Sequence, residues 1–210
     1  YNDSNLRQNS EKTTNSNGVI VEKLTKYPID YTSTMHINMK NNHMVNMPIE
    51  VTTNITTGGK TTEISKYKLD YITDASRTKN LILPDKVLSS SGTSGLRTDL
   101  TYDLYDSKGN IRQYTTFENV RTVYLWSYSG QYPIAEIKNA TYDQIKTILG
   151  ETLINRLSDA IVPSTADMQA INNLRKNTAL KDVHITTYTY KPLVGIQTMT
   201  DPSGLTTTYE

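Results

Sequence analysis

Residues 105–114 read YDSKGNIRQY, and residues 200–209 read TDPSGLTTTY. Both contain Asp-x-x-Gly with a tyrosine further on: Asp106, Gly109 and Tyr114 in the first, Asp201, Gly204 and Tyr209 in the second. An aspartate at the first position of a type I turn accepts the turn's own amide protons. In the second copy Pro202 also presets φ for the next position. The glycine then supplies the left-handed conformation that closes a short hairpin loop. The alternative use of such a loop is an ion site, and the ligand register argues against it. An EF-hand needs oxygen ligands at alternate early positions, a glycine at the sixth and a glutamate at the twelfth. Counted from Asp103, Tyr105 takes a ligand position and Lys108 the glycine position; counted from Asp106, the glycine arrives too early. Both stretches therefore predict β-hairpins.

The surroundings agree. TYDLYDSKGNIRQYTTFENVRTVYLWSYSGQYPIAEI alternates apolar and polar residues as half-buried strands do. Upstream, EVTTNITTGGKTTEISKYKLDYI predicts a hairpin turning at Gly58-Gly59, with Val51, Ile55, Ile64 and Leu69 at its apolar positions. Strand segments are expected near 18–21, 29–39, 48–57, 61–72 and 80–88, which makes residues 18–88 a β-rich region. Met35, Met39, Met44 and Met47 fall inside it and read as core filling. SSSGTSG opens a flexible Ser/Gly loop over 89–98, and hairpin regions follow over 99–139 and 183–210. Residues 1–17, polar and rich in Asn and Ser, read as a flexible arm.

Between the two hairpin regions the period changes. In ATYDQIKTILGETLINRLSDAI, residues Ile145, Ile148, Leu149, Leu153 and Leu157 recur at helical spacing. One amphipathic helix is expected there, started by a Thr141/Gln144 capping box and carrying Gly150 at a cost of roughly 1 kcal/mol. Pro163 ends it. Ser164 or Thr165 starts a second helix over 166–177, with Met168, Ile171 and Leu174 on one side. The expected fold is mainly β, built of antiparallel sheets and hairpins, with a two-helix insertion over 140–182: α+β overall.

Composition bounds the chemistry. The 210 residues carry a net charge of +1, so nothing suggests a nucleic-acid partner. No apolar run approaches the ~18 residues that span a membrane, so no membrane insertion by this chain is expected. With no cysteine, disulfides, thiolate zinc sites and a cysteine nucleophile are excluded. Tyrosine dominates the aromatics, 15 against one Phe and one Trp, as suits half-wet sheet faces.

The pieces YDLYDSKGNIRQY, VYLWSYSGQYPIAEI and TYTYKPLVGIQTMTDPSGLTTTYE resemble the tyrosine-aspartate (YD) repeats of bacterial RHS-type proteins. The resemblance covers about residues 99–139 and 183–210; the stretch over 21–88 is similar in style to the β-rich part that precedes such repeats. In those families a further Tyr-Asp follows the motif, and this chain stops at Glu210 where it would come. The resemblance thus implies a fragment at the start of a repeat array. It also implies a large cell-surface or secreted protein whose repeats wind into a β-rich shell or stalk, with the remainder of that protein as first partner. The two helices depart from an uninterrupted repeat series. None of the family's catalytic residues can be placed on this chain.

The residues add no catalytic signature. There is no Gly-x-Ser-x-Gly elbow and no phosphate loop, and His36, His43 and His184 lack ligand spacing. No enzyme activity, metal or cofactor is expected. What remains is an aromatic group, Tyr124, Trp126, Tyr128 and Tyr132. Residues 124, 126 and 128 would share one face of a strand. Two interpretations stand: a tryptophan anchor that packs helix on sheet, or a binding patch for a cell-surface glycan or protein. The primary expectation is a non-catalytic structural module; a glycan- or protein-binding module is the alternative.

Overall fold

The computed structural model of the chain describes residues 7–209. The fold is mainly β: twelve antiparallel strands, each hydrogen-bonded to the next in the order β1 to β12, with four α-helices. The chain divides into two compact units, residues 1–74 with 80–101, and residues 75–79 with 102–210.

The first unit holds β1 (Ser10–Thr14), β2 (Ile20–Lys26), α1 (Thr34–Asn41), β3 (Glu50–Thr57), β4 (Lys60–Ile72), β5 (Leu83–Ser91) and the start of β6 (Arg97–Tyr105). The hairpin expected at Gly58-Gly59 forms: Thr57 pairs Lys60, and both glycines take positive φ, +57° and +76°. That pair of angles requires residues free of a Cβ penalty, which is why two glycines stand there.

Three expectations for this unit are corrected. The polar arm over 1–17 is not all loose. Ser10–Thr14 pair with β2, and Asn15 closes the turn by accepting amide protons from Asn17, Gly18 and Val19. An edge strand needs only a backbone partner, so its polarity was no obstacle; residues 1–6 lie outside the described residues. The strand expected over 29–39 is a 3-10 turn, Pro28–Asp30, followed by α1. The Ser33 hydroxyl accepts the His36 amide proton and starts the helix, and Met39 fills the core beneath it. Of the other methionines Met47 is 41 % exposed, so core filling does not describe it. Finally, Ser89–Ser91 belong to β5, which leaves a loop over 92–96 only.

The second unit contains the rest of β6, then β7 (Ile111–Thr116), β8 (Arg121–Ser127), β9 (Tyr132–Lys138), α2 (Tyr142–Leu149), α3 (Glu151–Asp159), α4 (Thr165–Asn173), β10 (His184–Lys191), β11 (Gly195–Thr200) and β12 (Thr206–Thr208). Its core lies between sheet and helices. Val123, Leu125, Ile137 and Ile185 project from the strands against Ile145, Ile154, Leu157, Ile171 and Leu174, all nearly inaccessible. Burial of this many aliphatic side chains, at ~1.5–3 kcal/mol each, holds the helices in place.

The insertion contains three α-helices where two were expected. Gly150 adopts φ +81° and ψ 142° and divides the first helix into α2 and α3. The Thr141/Gln144 capping box and the Ser164 cap form as expected. The split also changes the buried face: Ile145 and Leu157 are buried as expected, Ile148 is 36 % exposed, and Ile154 takes a core position.

Candidate functional site

The two Asp-x-x-Gly turns have the same construction. Asp106 N–H donates to the Asn110 carbonyl at 2.9 Å and Gly109 N–H to the Asp106 carbonyl at 3.2 Å. The matching bonds in the second turn, Asp201 to Leu205 and Gly204 to Asp201, are 2.9 and 3.0 Å. In each turn Oδ1 of the aspartate accepts the amide proton of the residue after the glycine at 2.8 Å. The glycines have φ of +85° and +89°. The carboxylate therefore takes up the loop's inward amides, and the glycine makes the bend a side chain would resist.

The copies differ in surroundings. Asp106 is buried and also accepts from the Lys108 amide at 2.8 Å and from Asn110 Nδ2 at 3.1 Å; Asn110 Nδ2 donates as well to the Gly130 carbonyl. Asp201 is less enclosed, and the Leu205 amide holds its carboxyl below the usual carboxylate range. Tyr114 is half-buried on β7, whereas Tyr209, just past β12, is 46 % exposed.

Asp103 has a task the sequence did not disclose. Its Oδ2 accepts from Gln113 Nε2 at 2.9 Å and Thr115 Oγ1 at 2.6 Å, and Gln113 Oε1 accepts the Tyr142 amide proton at 2.7 Å. The aspartate thus fixes the glutamine that receives the first turn of α2. The only sequence signal was polar residues at alternate positions of neighbouring strands. His36, placed in α1, stacks on Tyr31 at 4.4 Å, and its Nδ1 lies 2.6 Å from Ser33 Oγ. Burial pushes its pKa down. Among the described residues no three His, Asp or Glu side chains gather as metal ligands.

The aromatic group separates into two. β8 ends at Ser127, and Tyr128 has φ +54°, so the alternation of faces breaks there. Tyr128 joins Tyr132 and Tyr190 instead: it meets both edge-on, at 5.5 and 5.8 Å, while Tyr132 and Tyr190 stack at 4.7 Å. Burial raises the Tyr190 hydroxyl to about 12. A single row through 124, 126 and 128 therefore does not exist.

Tyr124 and Trp126 lie on the sheet face opposite the helices. Their neighbours on β8, Val123 and Leu125, carry the helix-covered core, and Tyr124 and Trp126 themselves are half-buried. The tryptophan consequently does not anchor helix to sheet. Its indole N–H donates to the Ile111 carbonyl at 2.8 Å, which satisfies the ring's one donor. Tyr114, Tyr124 and Trp126 form a row with centroids 6.1 and 6.3 Å apart. Cross-strand pairing continues the face: Tyr124 opposes Glu136, Glu136 opposes Thr186, and Lys138 opposes His184.

Glu136 is the centre of this surface. It accepts from the Tyr188 hydroxyl at 3.5 Å and pairs with Lys138 at 3.1 Å. Burial first, and then the Glu136 charge, push the Tyr124 hydroxyl well above its ordinary value and raise that of Tyr188. The hydrogen bond to Glu136 raises Lys138. A cleft of about 200 Å³ is lined by Glu136 with Lys138, His184, Thr186 and Pro202. The sequence singled out Tyr124 and Trp126 but not Glu136, Tyr188 or the cleft, because cross-strand partners far apart in sequence bring them together. No protein-family model and no curated protein matches the chain.

Proposed function

We propose that this chain is a non-catalytic structural module of a large bacterial cell-surface or secreted YD-repeat protein, contributing strands to a β-rich shell or stalk. The observation that carries this proposal is the duplicated turn. Two Asp-x-x-Gly loops, far apart in sequence, share one hydrogen-bond pattern and each joins consecutive antiparallel strands. A module that repeats a turn to extend a sheet serves as scaffold, and Asp106, Lys108, Asn110, Asp201 and Ser203 each bond within or beside their turn. The remainder of the parent protein is then its first partner.

Localisation and turnover test this together. Antibody against the purified chain should label intact source cells or the culture medium, and the chain should leave glycoside, ester, peptide and phosphoester substrates unchanged. Confinement of the protein to the cytosol, or a turnover abolished by one substitution in this chain, would refute the proposal.

A further inference from the structure

We propose that the open sheet face of the second unit is a glycan-binding surface, on which a neutral pyranose chain stacks on Tyr124 and Trp126 and places one sugar in the cleft beside Glu136. The rings of Tyr114, Tyr124 and Trp126 run in a row on this face; Tyr124 stands opposite Glu136, whose carboxylate the Tyr188 hydroxyl reaches, and Glu136 lines the cleft with Lys138, Thr186, His184 and Pro202. A pyranose has the matching division, with a C–H face that packs on an aromatic ring and a rim of hydroxyls that seek acceptors and donors.

Charge selects among the polymers that stack on rings. Glu136 and Lys138 neutralise each other at 3.1 Å, so this surface lacks the cationic groove that nucleic acids or acidic polysaccharides require. Glu136 nevertheless keeps acceptor capacity: one oxygen faces Lys138, and the other receives only the long 3.5 Å contact from Tyr188. A sugar hydroxyl would be a shorter donor. The cleft of about 200 Å³ has room for one pyranose ring, with Thr186 and His184 along its wall.

The chain contains a single tryptophan, so its emission reports on this face alone. Cellohexaose, maltohexaose, mannohexaose and chitohexaose are titrated separately into the whole chain and followed by calorimetry and by Trp126 fluorescence. At least one should bind saturably, with Kd between roughly 10 μM and 1 mM, and shift the emission to the blue. Glu136→Gln and Tyr188→Ala should each weaken that binding by about tenfold or more, equivalent to ~1.4 kcal/mol, while Lys146→Ala, on α2, leaves it unchanged. Circular dichroism of each variant separates lost binding from lost folding, and Glu136→Gln, which changes no volume, decides if Tyr188→Ala fails to fold. Absence of saturable binding by all four hexaoses at about 10 mM overturns the inference and leaves the face to a protein partner. Binding that survives in Glu136→Gln also overturns it. Either result leaves the scaffold role, tested by localisation and turnover, as it stands.

Discussion

The Tyr128 hydroxyl donates to the Tyr190 carbonyl oxygen at 3.1 Å and accepts the amide proton of the same residue at 2.9 Å. One side chain thus satisfies both backbone groups of a residue on β10. Tyr190 stays paired with Ile196 of β11, whereas the pairing of β10 with β9 ends at Thr187 opposite Ala135; three residues beyond that end, the Tyr128 hydroxyl serves the Tyr190 backbone. Tyr128→Phe keeps the ring contacts with Tyr132 and Tyr190 and removes both bonds. It should lower unfolding free energy by about 1–3 kcal/mol, the cost of two unpaired, part-buried backbone groups. Urea denaturation measures it, and an unchanged midpoint would mean that water replaces the hydroxyl at no cost.

The paired turns give an internal comparison. Asp106→Ala removes the acceptor for two amides and the Asn110 side chain in a buried setting, and should cost about 2–4 kcal/mol. Asp201→Ala removes an equivalent acceptor where water can replace it, and should have a much smaller effect on the melting temperature. Equal losses from the two variants would contradict the difference in environment.

Ile145 and Ile148 separate what the sequence disclosed from what it concealed. Helical spacing marked both as core, yet Ile145 is fully buried and Ile148 is 36 % exposed. Ile145→Ala should therefore cost about 2–4 kcal/mol and Ile148→Ala well under 1 kcal/mol, compared by thermal melting. The hairpins, caps and antiparallel architecture were legible because each rests on residues within a few positions: Asp106 with Gly109, Gly58 with Gly59, Thr141 with Gln144. The grouping of Glu136 with Tyr124 and Tyr188 was not, since it depends on strand pairing across many residues. Tyr128 misled for a third reason: with positive φ it stands in the turn beyond β8, where the strand's alternation no longer holds.

Acid should loosen the joint between α3 and α4. Arg156 Nη2 donates to Asp167 Oδ1, and this bond holds the aspartate pKa below its ordinary value, with Ser164 adding to the effect. A carboxylate whose folded pKa is depressed stabilises the fold above its unfolded value, near pH 4, and that contribution disappears as pH falls through the lower folded value. Melting temperature should fall more steeply below about pH 4 in the natural chain than in Asp167→Asn. Other depressed carboxylates, Asp99 and Asp201, act equally in both proteins and cancel in the comparison. Parallel curves would remove Asp167 from the acid response.

Gly150 provides a test in which two physical effects predict opposite signs. If it lay within one long helix, Gly150→Ala would stabilise that helix by roughly 1 kcal/mol through propensity. In the structure it stands between α2 and α3 with φ +81° and ψ 142°, a conformation nearly confined to glycine. A Cβ at this position would meet nothing within 4 Å, so crowding does not enter and the backbone alone decides. The strain of about 1–3 kcal/mol exceeds the propensity gain, and Gly150→Ala should destabilise the protein. Stabilisation by L-alanine would show instead that α2 and α3 join into one helix in solution.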